Sequence, residues 1–256
     1  NRPLVINRKL CKELSKCKGN MKKSIAIVGQ GFVGGSLTTV FSERGFDVYA
    51  YDKAGKYVNG ALSSHGDPVA GYPGSIAELI GDNENGGTPG FSNVYFVCLP
   101  TPMREDGSAD LSIVESALQE LASIPGERIA VVKSTVPPGS TEKWNKKYEG
   151  TGLHVIFNPE FLTEANAVED FNNQTRIILG GPRKGTTKLK TLYSKVFPKA
   201  TIVKTDSTYA EMVKYVTNSF LATKVSFANE MYEICEGLDV CLLYTSPSPR
   251  DRQKSR

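Results

Sequence analysis

The feature that most limits how this chain can fold is a series of seven short runs, rich in Val and Ile, that are continuously apolar rather than alternating. They are residues 24–29 (SIAIVG), 47–52 (DVYAYD), 94–100 (VYFVCLP), 128–135 (RIAVVKST), 153–159 (LHVIFNP), 176–181 (RIILGG) and 201–205 (TIVKT). A strand with one face in water alternates polar and apolar residues; a strand buried on both faces does not. Helical patterns lie between them, at 33–44, 112–122, 186–196 and from 207 to about 236. Strand–helix alternation of this kind predicts a doubly wound α/β fold, a mostly parallel sheet covered on both faces, followed by one long helix. Residues 55–89, rich in Gly, Pro, Ser and Asn, read as loop with one short helix near 76–80.

The first of these runs leads directly into Gly29-Gln30-Gly31-Phe32-Val33-Gly34, which opens the first helical pattern. In a strand–turn–helix setting the first glycine permits the tight turn and the second lets backbone approach a pyrophosphate. The third lets helix and strand pack closely. The amides of Phe32 and Val33 fall in the first turn of that helix, where N–H groups and the helix dipole favour an anion. Alone, a GxGxxG is a weak signal, since a purely structural turn can use the same glycines. Here Asp52 ends the next apolar run about twenty residues on, where a carboxylate hydrogen-bonds a ribose 2′-OH and repels a 2′-phosphate. The pattern predicts a Rossmann-like domain binding NAD rather than NADP, with Gly29, Gly31, Phe32, Val33, Gly34 and Asp52 at the cofactor.

Composition excludes other classes. Of 256 residues, 39% are hydrophobic and 23% charged, an ordinary globular profile. The net charge of +4 is concentrated partly at the two ends, whose basic residues lack the interleaved aromatics of a nucleic-acid stacking surface. No run approaches the length of a transmembrane helix, and the N-terminal segment has no signal-peptide core. Neither nucleic acid nor membrane is expected as a partner. Five scattered cysteines, Cys11, Cys17, Cys98, Cys235 and Cys241, have no metal-site spacing and point to a reducing, cytoplasmic setting. Cys98, in an apolar run, reads as core; His65 and His154, the two histidines, sit in no motif.

Four further stretches carry chemistry: VYFVCLPTPMREDGSADLS at 94–112, VVKSTVPPGST at 131–141, FNPEFLTEANAVEDF at 157–171 and AEMVKYVTNSFLATKVSFANE at 210–230. Thr101 closes a strand at the carboxyl edge of the sheet, where open α/β folds bind ligands, though it also precedes Pro102 as a turn residue would. Ser134 and Thr135 end the next strand, and Pro137-Pro138-Gly139 stiffens the loop beyond; a hydroxyl there also suits a helix cap. Glu160 and Glu164 share a face if their segment is helical, and paired acids can handle protons. A solvated acidic turn is the plainer alternative. Lys214 and Asn218, four apart in the long helix, share a face and could together stabilise an oxyanion, or could simply face solvent.

In their order and spacing these stretches resemble the UDP-glucose/GDP-mannose dehydrogenase family, from Met21 to about Val240. The resemblance implies oxidation of a sugar C6 alcohol to a carboxylate in two hydride transfers to NAD, through a cysteine thioester. It implies that Thr101 contacts the cofactor and that Thr135 lies beside the nicotinamide and helps place a water. Glu160 would handle protons in thioester hydrolysis, and Glu164 would touch substrate and cofactor, with Phe161 and Leu162 at the substrate. Lys214 and Asn218 would hold the substrate and stabilise the oxyanion. UDP-glucose is the first candidate substrate, ahead of GDP-mannose and UDP-N-acetylmannosamine. A β-hydroxyacid dehydrogenase or a non-catalytic NAD-binding module are the rivals.

The expected organisation is a disordered segment or non-native leader at 1–20, an NAD-binding domain at 21–206, a long central helix at 207–241 that builds a homodimer in the intact protein, and a disordered tail at 242–256 unlike the family. The family's nucleophile is a cysteine in a glycine-rich segment well beyond the position of Asn218. Cys235 and Cys241 fall too early and lack the surrounding glycines. The expectation is therefore that these 256 residues bind NAD but do not complete the oxidation.

Overall fold

The computed structural model describes residues 24–53, 76 and 93–241. The seven apolar runs become seven strands of one sheet: β1 (Ser24–Val28), β2 (Asp47–Tyr51), β3 (Val94–Val97), β4 (Arg128–Val132), β5 (Leu153–Phe157), β6 (Arg176–Gly180) and β7 (Thr201–Thr205). Their order is β2-β1-β3-β4-β5-β6-β7. Neighbours run parallel except β5 and β6, which are antiparallel and meet through one pair, Phe157 with Gly180. The chain winds outward from β1 to β2, then returns to the other side of β1 for β3. That reversal leaves a crevice at the carboxyl ends of β1 and β3, the place where open parallel sheets take their ligands.

The helices are α1 (Phe32–Glu43), α2 (Ser112–Ser123), α3 (Ser140–Lys147), α4 (Ala167–Asn172), α5 (Arg183–Val196) and α6 (Ser207–Gly237). Four fall where the 3.6-residue periodicity places them. Two escape it for physical reasons. α3 (STEKWNKK) buries a single large apolar side chain, Trp144, with Ser140 and Thr141, so it shows no apolar stripe. α4 has six residues, too few for a period to show. The short helix expected at 76–80 falls outside the described residues apart from Ile76, as do the segments 1–20 and 242–256.

Two expectations need correction. The run at 94–100 ends as a strand at Val97, because Pro100 and Pro102 have no N–H to give a ladder. The run at 201–205 is not a doubly buried strand: β7 is the sheet's edge, and Val203 is 42% exposed. The chain divides into two compact units, one ending at Glu211 and one beginning at Met212 within α6. The first holds the whole sheet; within the second, the described residues are the rest of α6 and the short turn after it.

The core of the first unit is built around aromatic rings. Phe41, fully buried on α1, lies 5.2 Å edge-to-face from Phe46, 5.5 Å from Phe96 on β3, 6.3 Å from Phe171 on α4 and 6.4 Å from Tyr193 on α5. Phe197 closes the cluster against Phe171 and Tyr193. One ring thus joins α1, β3, α4 and α5, and removing it opens a cavity that rigid neighbours cannot fill. Phe41→Ala should destabilise the folded chain by about 3–5 kcal/mol in urea denaturation. A loss under about 1 kcal/mol would contradict this packing.

Candidate functional site

The glycine turn is held by close contact. Gly29 has φ +94°, and a Cβ there would sit 2.4 Å from the Cys98 carbonyl oxygen. A Cβ on Gly34 would sit 1.9 Å from the Gly29 carbonyl oxygen, an impossible approach for any side chain. Gly31 differs: nothing lies within 4 Å of its would-be Cβ. It is the N-cap of α1, it supplies no side-chain cap, and the first turn carries no acidic residue. A helix start made this way presents backbone N–H groups and positive potential to whatever lies before it. Asp52, just past β2, accepts the Gln30 N–H at 2.7 Å, and Gly29 N–H donates to the Tyr51 carbonyl at 2.7 Å. The turn is thereby fastened to the end of β2.

A cavity of about 590 Å³ opens at this point. Gly31, Phe32, Val33 and Asp52 line it, together with Thr101, Lys133, Thr135 and Glu160. Hydroxyls stitch the strand ends between them. Ser134 Oγ accepts the Leu99 N–H at 3.1 Å and donates to the Leu99 carbonyl at 2.6 Å. Thr101 Oγ1 donates to the Thr135 carbonyl at 2.8 Å, so its proton ties two loops together and only its lone pairs face a ligand. A larger cavity of about 960 Å³ lies near Lys204 and Ser207, at the ends of β6 and β7. None of the residues selected from the sequence enters it, so convergence of functional groups, rather than volume, marks the smaller one.

The remaining sequence-selected residues are placed as follows. Phe161 and Leu162 do not line the cavity: the Arg176 guanidinium stacks over the Phe161 ring at 5.2 Å, and Leu162 packs against the core. Glu160 and Glu164 do not share a helical face, since helical structure begins only at Glu164, with the single turn Glu164–Asn166. The Glu164 side chain lies outside the described residues. Lys214 and Asn218 stand one turn apart on α6, in the second unit.

Lys133 lines the cavity, as do Lys53, Leu99, Pro100 and Ile113, without having been singled out by sequence reasoning, and it is the one tied into a buried polar network. It is 3% exposed, and its Nζ donates to Asn158 Oδ1 at 3.2 Å and lies 5.7 Å from the Phe171 ring. Asn158 Oδ1 also accepts the Tyr193 hydroxyl at 2.6 Å, while Asn158 Nδ2 donates to the Ile178 carbonyl at 2.7 Å. The signal was present: a lysine set straight into the apolar run VVKST has no solvated face to occupy. Among the described residues no cluster of His, Cys, Asp or Glu could hold a metal ion.

Cys98 packs on the core from the cavity side. Burial pushes its thiol up to about 12, with Lys133 pulling the other way and Glu160 adding to the rise. Burial likewise pushes the Tyr193 hydroxyl above its usual range. A thiol held neutral is a poor nucleophile. Its raised value stabilises the fold fully below the unfolded value near 9, and that contribution is lost as pH rises from 9 to about 12. Iodoacetamide at pH 8 should leave Cys98 unmodified in the native chain while alkylating exposed Cys241. Cys98→Ala should flatten the alkaline fall in stability; rapid alkylation of Cys98, which is half-buried, would contradict the raised thiol.

Residues 23–197 match the model of the UDP-glucose/GDP-mannose dehydrogenase family, NAD binding domain, and residues 208–242 match that family's central domain. The UDP-glucose 6-dehydrogenase AglM of Haloferax volcanii is 34% identical over 237 residues, covering 83% of this chain and 54% of that protein. Among solved structures, a UDP-glucose dehydrogenase from Pyrobaculum islandicum superposes with a TM-score of 0.64 at 30% identity, over 87% of this chain and 55% of that one. A GDP-mannose dehydrogenase from Pseudomonas aeruginosa, solved as a ternary complex, gives 0.62 at 27%, over 84% and 54%. The chain spans about half the length of the curated relatives it matches. It belongs to the UDP-glucose/GDP-mannose dehydrogenase family and carries that family's NAD-binding domain.

Proposed function

We propose that this chain is the cofactor-binding portion of a nucleotide-sugar 6-dehydrogenase, with UDP-glucose as first substrate and GDP-mannose or UDP-N-acetylmannosamine next. The observation that carries this is the uncapped start of α1 at Gly31, opening on a cavity that Asp52, Thr135 and Glu160 also line. These donors suit NAD. The backbone at Gly31, Phe32 and Val33 would take the pyrophosphate, and Asp52 a ribose hydroxyl. Bound there, NAD supplies the hydride acceptor for alcohol oxidation.

The chain's own residues would supply cofactor contacts and proton handling. Thr101 and Thr135, joined through one hydrogen bond, both line the cavity and would border the nicotinamide. Thr135 would orient a water, and Glu160 would hold or pass a proton beside it. Glu164, Phe161 and Leu162 are assigned to substrate contact on family likeness, as are Lys214 and Asn218, whose ammonium and amide would stabilise an oxyanion. For the intact protein we assign α6 to a homodimer interface, because it leaves Met212, Phe220, Val225 and Phe227 exposed. Among the described residues no helix is long and apolar enough to cross a membrane.

Calorimetric titration tests the cofactor assignment. NAD should bind at least about tenfold tighter than NADP, because the Asp52 carboxylate repels a 2′-phosphate. Asp52→Asn removes that repulsion and should narrow the gap, chiefly by strengthening NADP binding. A chain that binds neither nucleotide, or prefers NADP, contradicts the assignment.

A further inference from the structure

The loop that carries Thr135 is fastened from a distant point of the chain. It leads into α3, whose N-cap is Gly139 at φ +89°. Glycine has no side chain with which to cap, yet the first N–H groups of a helix need acceptors. Glu211, in α6 and completely buried, supplies both: Oε2 accepts the Gly139 N–H at 2.5 Å and Oε1 accepts the Thr141 N–H at 2.9 Å. A carboxylate gripping a helix start through two charge-assisted hydrogen bonds is a strong and directional attachment. Between Thr135 and Gly139 stand only Val136, which is fully buried, and the prolines Pro137 and Pro138. Proline fixes φ, so this connector is stiff. A shift at Gly139 therefore reaches Thr135, which is held on its other side by Thr101.

We propose that Glu211 is a positioning residue for the nicotinamide half of the cofactor cavity: it acts through the Gly139–Thr141 backbone to fix Thr135. The inference rests on the NAD reading above. With the adenosine ribose at Asp52 and the pyrophosphate at α1, the nicotinamide half is what remains to reach Thr101 and Thr135. Glu211 thus bears on one end of the cofactor only. In Glu211→Gln one oxygen still accepts an N–H, but the new amide NH2 points its donors at the other. The loop then loses one anchor while side-chain volume is preserved.

The test compares NAD with ADP-ribose, which lacks the nicotinamide, in the unmutated chain and in E211Q. Affinity for NAD should fall about five- to tenfold in E211Q, while affinity for ADP-ribose stays within about twofold. A general loss of structure would weaken both ligands alike. Equal losses, or none, overturn the proposal and leave the cofactor reading standing. Failure of the unmutated chain to bind either ligand overturns both. A measurement on the unmutated chain guards against a variant that does not fold. Its Gly139 and Thr141 amides should exchange with solvent at least about a hundredfold more slowly than in an unstructured peptide. Fast exchange at those two amides removes the clamp, and the proposal with it.

Discussion

The contact on which the site depends is the approach of α1 to its own turn, where Gly34 lies so close to the Gly29 carbonyl that no Cβ could fit. That approach sets the start of α1 against the end of β1. Its consequence is a helix N-terminus with no cap of its own, pointed into the crevice where the sheet reverses direction. A helix start with this polarity and no internal partner favours an anion. Asp52 gives the crevice a chemical address, because its carboxylate is fixed by the Gln30 N–H beside the turn. Two glycines that cannot change and one that faces open space together explain why the spacing is what it is.

The cavity wall at Thr101 and Thr135 is organised by cross-links between loops rather than by regular structure. Ser134 pairs twice with Leu99, and Thr101 pairs with Thr135, joining the ends of β3 and β4. Glu211 holds the same segment from behind. Beneath it the Lys133–Asn158–Tyr193 network, with Asn158 bonded to β6, puts a buried cation at the cavity wall. Such networks fix geometry because each member is costly to leave without partners in a low-dielectric interior.

The fold was legible in the sequence because its strongest signals are local. Short apolar runs marked all seven strands, and the glycine turn with Asp52 marked the crevice. The antiparallel turn of β6 was not legible, since a doubly buried strand looks the same in either direction. Exposure of β7 also escaped, because edge position depends on the order of strands in space. Of the residues that the motifs offer, Gly29, Gly31, Phe32, Val33, Asp52, Thr101, Thr135 and Glu160 line the cavity, while contacts made across the fold lie beyond motif reasoning. Lys133 was passed over as part of a strand, although a lysine in an apolar run was itself a signal. Glu211 caps a helix seventy residues away in sequence, a pairing only the folded chain makes. Phe161 and Leu162 sit in a motif yet pack on Arg176 and the core.

The most direct test of the central claim is a titration of the 15N-labelled chain with NAD, followed by amide chemical shifts. If the uncapped start of α1 binds the pyrophosphate, the amides of Gly31, Phe32 and Val33 move first and furthest, and those of Thr101 and Thr135 follow. Shifts centred instead on Lys204 and Ser207, by the larger cavity, would place the ligand elsewhere and contradict the assignment of the glycine turn as the cofactor site.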